Sequence, residues 1–229
     1  MLRSSVTFAG LCAGLLLSAN VFALSLGDLS QSDATGGLKD ALTQGAQIAV
    51  KQLGAPGGFS NNKDVRIELP GNLGKVAKKM KQFGMGAQVD ELETSMNQAA
   101  EAAMPQAQAI LVNAVKNMSV SDAKGILTGG NESATQYLNK SSRDQIRAKF
   151  LPIVKQATDK VGVAQKYNAF AGEAASFGVL DTKSASIEGY VTEKALDGLF
   201  EMIGKQETNI RQNPAAAATS LAKKVFGAL

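Results

Sequence analysis

The chain has 229 residues, with 24 basic and 20 acidic side chains, no histidine, no tryptophan and one cysteine, for a formal charge of +4. Lack of imidazole excludes Ser-His-Asp and Cys-His nucleophilic sites, and ordinary zinc sites, which draw mainly on Cys and His, are not expected. The small basic excess, without interleaved aromatic residues, argues against nucleic acid as a partner.

Residues 1–23 read as a signal peptide. Arg3 precedes an uncharged apolar run from Val6 to Leu17, and Val21-Phe22-Ala23 supplies a small-x-small cleavage pattern. The run is too short for a lasting anchor, which takes roughly 20 apolar residues. Leu11 stands where a lipobox needs a small residue, so Cys12 is expected to leave with the signal rather than carry lipid. Loss of Arg3 takes the charge from +4 to +3. A periplasmic protein with no transmembrane segment is expected.

Residues 24–34 read as a flexible segment and 35–229 as one helical domain. From Thr35, the apolar positions Leu38, Leu42, Ala46, Ala49 and Leu53 recur at three- and four-residue steps, and Gly54 ends the helix. "APGGFSNNKD" is a loop by composition. Val65, Ile67 and Leu69 alternate before Pro70 with no second strand to pair, which predicts a short extended connector near 64–69. Helices follow over 72–83, closed by Gly84, and over 87–118, where Pro105 predicts a kink or break near Met104. Ser121 or Asp122 is expected to cap a short helix ending at 128–130, and Asn131 to start the next. Ser141 or Ser142 would cap another, running to about Gly162 and disturbed at Pro152. A helix over 163–177, a loop around Asp181 and a helix over 186–211 come next. Asn213-Pro214 then starts the last helix, through "AAAATSLAKKVF". The fold class is all-α, a multi-helix bundle.

In 186–211, Val191, Ala195, Leu196, Leu199, Phe200, Met202, Ile203 and Ile210 spread over about half the helix circumference, so this helix is expected at the centre of the core. Glu193 and Asp197, one turn apart on the border, are candidate acid–base partners. Relief of their repulsion by Lys194 and Arg211, as an ordinary ion-paired border, is the favoured reading. Glu207 and Arg211 have the spacing of an ion pair worth ~0.2–0.5 kcal/mol if exposed.

Three other segments offer candidates. Over 73–83, Leu73, Val76, Ala77, Met80 and Phe83 share a face opposite Lys75, Lys78, Lys79 and Lys81. That pattern suits an anionic surface. Packing of Val76, Met80 and Phe83 into the core, at about 1.5–3 kcal/mol each, is the stronger expectation for the apolar side. Over 90–106, Glu93, Asn97 and Glu101 line one helix, and a carboxylate there needs a partner or a proton. A structural salt bridge is preferred to catalysis. In "ILTGGNESATQYL", free amides at the helix start can hold an anion, and Glu132-Ser133 resembles, over two residues only, the Glu-Ser pair of lytic transglycosylases.

Several long segments, "MNQAAEAAMPQA", "DAKGILTGG" with "ATQYL", "FLPIV" and "YVTEKALDGLFEMIGKQETNIRQNP" followed by "KKVF", stand in collinear order. Through them the chain resembles the exported bacterial proteins grouped as domain of unknown function 4197, over about Leu38 to Phe226. The resemblance implies an all-helical exported protein, mostly of Gram-negative bacteria, and supplies no catalytic residues. The expected function is a non-enzymatic binding or scaffold role in the cell envelope, without metal or organic cofactor. Its partner would be an envelope protein, an amphiphile or an anionic surface. The alternative is a carboxylate-dependent hydrolase of an envelope polymer such as peptidoglycan, using Glu101, Glu132 or the Glu193/Asp197 pair.

Overall fold

Hydroxyl side chains set four of the eight helix starts in the computed structural model, which describes residues 26–84, 86–160, 162, 165, 167 and 186–229. Among these there are eight α-helices and no strand: α1 (Gln31–Leu53), α2 (Gly71–Gln82), α3 (Ala87–Ala103), α4 (Pro105–Lys116), α5 (Val120–Leu127), α6 (Ser133–Lys160), α7 (Ile187–Gln212) and α8 (Ser220–Phe226). Ser30 accepts from the Asp33 amide at 3.0 Å, so α1 starts at Gln31, ahead of the expected Thr35. Ser119, rather than Ser121 or Asp122, caps α5. Its hydroxyl accepts from the Asp122 amide, and the Asp122 carboxylate returns to the Ser119 amide, a reciprocal capping box. Ser186 caps α7 through the Gly189 amide, and Thr219 caps α8 through that of Ala222. The last helix is therefore shorter than expected. Asn213-Pro214 opens only a 3-10 turn, Pro214–Ala216, and Ala217 is extended before the Thr219 cap.

Proline acts differently at its two helical sites. Pro105 occupies the first position of α4, and Met104 separates α3 from α4, as its missing amide demands. Pro152 instead lies inside the continuous α6, on an exposed position where water can meet the carbonyl it leaves free. Ser141 and Ser142 start no helix. Both hydroxyls donate back to the Leu138 carbonyl, which keeps them satisfied within α6. The helix expected over 163–177 and the loop at Asp181 fall outside the described residues, apart from Gly162 beside them and the positions of Gln165 and Tyr167, as does the 1–23 segment.

Helix α7 occupies the middle. It packs against α6, α1 and α3, while α1 also carries α4, α5 and α8, and α6 lies on both α3 and α4. Val191, Ala195, Leu196, Leu199, Phe200, Ile203 and Ile210 are buried, and Met202 sits at the edge of the core. Each large apolar side chain so buried contributes about 1.5–3 kcal/mol. Two glycines permit close approach. A Cβ on Gly198 would lie 2.8 Å from Phe59 Cε1 and 3.1 Å from Val65 Cβ, so the bare backbone of α7 lets the 59–65 loop rest on it. A Cβ on Gly37 would lie 2.8 Å from the Leu221 carbonyl oxygen, so α8 seats directly on α1.

The connector is a turn over 63–65 followed by a non-helical run over 66–70, and its burial alternates as its sequence implies: Val65, Ile67 and Leu69 are buried and Arg66 and Glu68 exposed. Asn97 of α3 substitutes for a partner strand. Its side chain accepts from the Ile67 amide and donates to the Ile67 carbonyl, both at 2.8 Å. Among the described residues, no helix is long and apolar enough to cross a membrane.

Candidate functional site

The connector and α7 form the walls of a cleft with a volume of about 800 Å³. Lys63, Asp64, Arg66 and Glu68 face Tyr190, Lys194, Asp197 and Glu201 across it. Its charges are largely paired. Lys205 bridges Asp64 and Glu201, and Lys194 lies 3.5 Å from Asp197. Tyr190 donates its hydroxyl to the Glu68 carbonyl at 2.8 Å, tying the walls together, and burial pushes its phenol above the ordinary value. The cleft thus presents both signs of charge to a polar ligand.

Asp197 lines this cleft, and it and Glu193, one turn away, are held from α6. Arg143 donates to Glu193 at 2.8 Å and to Asp197 at 2.7 Å, and Arg147 engages both oxygens of Glu193. The hydrogen bond from Arg147 holds the Glu193 carboxyl below the ordinary glutamate value. Partial burial opposes it, and Arg143 reinforces it. Relief of the pair therefore comes from Arg143, Arg147 and Lys194, not from Arg211 as the sequence suggested.

This has a consequence for acid stability. Because Glu193 is lowered on folding, its contribution is complete above the unfolded value and is lost as pH falls through the folded one. Glu193→Gln is expected to lower stability at neutral pH and to flatten its decline below about pH 4.5. Urea titrations at a series of pH values measure this, and parallel wild-type and variant curves would contradict it.

The column on α3 divides into three tasks. Glu93 is buried and paired with Arg66 at 3.2 Å and Lys81 at 2.8 Å, the structural salt bridge expected of it. Asn97, 1% exposed, holds the connector. Glu101 is buried with no cation beside it among the described residues: it accepts from the Phe59 and Ser60 amides at 3.1 and 3.2 Å and from the Ser60 hydroxyl at 3.1 Å. It pins the loop after α1, a role its helical spacing could not reveal. Glu101 belongs to a different contact set from Glu193 and Asp197, and Glu132 stands exposed just before α6.

The anion expected at the α6 start turns out to be internal. Glu207 of α7 accepts from the Ala134 and Thr135 amides at 3.0 and 2.8 Å and from the Thr135 hydroxyl at 2.8 Å. Arg211 completes the arrangement. It donates to Glu207, to the Ile126 carbonyl and to Ser133, and lies over the Phe226 ring. Sequence reasoning placed this pair at a surface; its side chains are 2% and 8% exposed. A usable signal was the start of α6 itself, where Glu132 is outside the usual capping set and a cap from elsewhere is needed.

Helix α2 corrects the amphipathic reading. Leu73 and Ala77 are buried and Met80 is partly buried against the core, but Phe83 is 76% exposed. Phe83 is the helix C-cap, outside the helical residues Gly71–Gln82. The side chain of Val76 lies outside the described residues. Lys75, Lys78 and Lys79 are exposed, whereas Lys81 is taken by Asp90 and Glu93, both at 2.8 Å. Burial lowers the Lys81 ammonium, but these carboxylates outweigh it and hold it above the usual lysine range.

Fold and site together define an all-helical bundle whose buried acidic groups hold loops and helix ends, with a polar cleft beside its central helix. The chain belongs to the family described as Protein of unknown function (DUF4197), whose model matches residues 28–227. No curated protein and no solved structure matches it.

Proposed function

We propose that this is an exported, non-enzymatic binding or scaffold protein of the bacterial cell envelope. Export rests on the signal-like segment 1–23. The observation that carries the reading is the engagement of the candidate carboxylates. Glu101 accepts three hydrogen bonds from its own loop, and Glu193 and Asp197 are bound by arginines. A glycoside hydrolase needs a general acid that keeps its proton near working pH, hence a carboxyl raised by its surroundings. Glu193 is shifted the opposite way. The two-sign cleft between the connector and α7 gives such a protein a place to hold a polar ligand.

Incubation of the folded protein with purified peptidoglycan, from acid to neutral pH, tests this. No soluble fragments are expected. Release of fragments that Glu132→Gln, Glu101→Gln or Glu193→Gln abolishes in a folded variant would replace this reading with the hydrolase.

A further inference from the structure

We propose that the outward stripe of α2, formed by Lys75, Lys78, Lys79 and Phe83, docks the protein on a lipid bilayer carrying anionic headgroups. This deepens the binding reading above by naming a partner surface, and it rests on that reading.

The stripe follows from exposure and from what the inner face has already spent. Positions 75, 78 and 79 share one sector of the helix, and Phe83, at the C-cap on the border between Lys79 and Met80, joins them by its exposure rather than by its spacing. The opposite sector is committed, with Leu73 and Ala77 buried and Met80 against the core. Lys81 reaches from the helix to Asp90 and Glu93 of α3 and clamps α2 in place. The stripe is therefore presented on a fixed support.

Among the described residues, Lys75, Lys78 and Lys79 have no ion-pair partner, unlike Lys81, Lys155, Lys194, Lys205 and Lys224. Among the described residues Phe83 is the most exposed large apolar side chain, at 76% against 49% for Val120, 42% for Leu151 and 51% for Leu229. Its amide bonds back to the Lys79 carbonyl at 3.1 Å, which keeps it beside that lysine, and Gly84, at φ 78°, turns the chain away immediately afterwards.

The combination selects the partner. A soluble polyanion would match the lysines and leave Phe83 in water. A bilayer interface matches both: headgroups attract the ammonium groups, lysine stems lie along the acyl boundary, and the ring enters it. Each lysine near an anionic surface strengthens association by about fivefold, and the ring by at least about tenfold if it is buried.

The test is co-sedimentation of the folded protein, freed of residues 1–23, with vesicles of phosphatidylglycerol and phosphatidylcholine in equal parts, and with phosphatidylcholine alone. Binding is expected only to the anionic vesicles and should weaken as salt rises. Lys75→Gln/Lys78→Gln/Lys79→Gln should reduce it by roughly 100-fold. The control Lys51→Gln/Lys149→Gln/Lys223→Gln, which removes the same charge from exposed positions on α1, α6 and α8, should change it only a few-fold. Phe83→Ser should reduce it by about tenfold or more. All these positions are exposed, and circular dichroism verifies that the variants fold. Equal losses from both lysine triples would overturn the proposal in favour of net charge alone. An unaffected Phe83→Ser variant, with polyphosphate displacing the protein, would overturn it in favour of a soluble polyanion. No vesicle binding would overturn the docking surface while leaving the non-enzymatic reading intact, whereas fragment release from peptidoglycan strikes that reading alone.

Discussion

Glu207→Ala is expected to destabilise the protein by about 3–5 kcal/mol, the range for removing one partner of a buried ion pair. Three losses coincide. Arg211 keeps its charge in a pocket where its side chain is 8% exposed. The Ala134 and Thr135 amides at the start of α6 lose their acceptor, and so does the Thr135 hydroxyl. Glu207→Gln should cost less, because it keeps the shape and one acceptor. Glu207→Leu/Arg211→Leu should recover part of the loss, since no unpaired charge remains. Urea denaturation of the four proteins measures the set. A cost below about 1 kcal/mol for Glu207→Ala would mean that the pair acts like an exposed one.

The second large effect is expected at Asn97. Asn97→Leu keeps the branching at Cγ but removes both hydrogen bonds to Ile67 and the one to the Glu93 carbonyl. Leaving the Ile67 amide and carbonyl buried without partners costs about 1–3 kcal/mol each, so a loss of about 3 kcal/mol is expected. The effect should be local before it is global. Ile67 is 1% exposed, and its amide should exchange with solvent far faster in the variant while α7 amides keep their protection. Unchanged exchange at Ile67 would show that Asn97 does not hold the connector. Because the connector is one wall of the cleft, this variant also separates cleft integrity from the α2 stripe.

What was legible in the sequence was direction, and what was not was company. The apolar arc of 186–211 was wide enough to place α7 centrally, and its residues do face the core. Alternation at Val65, Ile67 and Leu69 announced the non-helical connector, and Pro105 announced the break at Met104. Periodicity also pointed Phe83 inward, but α2 ends at Gln82 and Phe83 is its exposed C-cap, so the helical wheel no longer applies there. Glu207 and Arg211 looked like a surface pair because the helix start they cap lies 72 and 73 residues away. Glu193 and Asp197 were visible as adjacent carboxylates, while their partners Arg143 and Arg147 come from another helix, at separations of 46 to 54 residues. Ser141 and Ser142 show the reverse error. They read as caps by type, yet their hydroxyls satisfy themselves on Leu138 and the helix continues.

A single idea joins these cases: the acidic groups Glu101, Glu193, Asp197 and Glu207 are spent on holding distant segments together. Its most direct test is an NMR titration of the Glu193 carboxyl carbon, which is held by Arg143 and Arg147 one turn from Asp197 of the cleft. A midpoint below the ordinary glutamate value of about 4.3 is expected, with no second inflection near neutrality. A midpoint raised to about 6, as in a general acid, would contradict the account and return the cleft to catalysis.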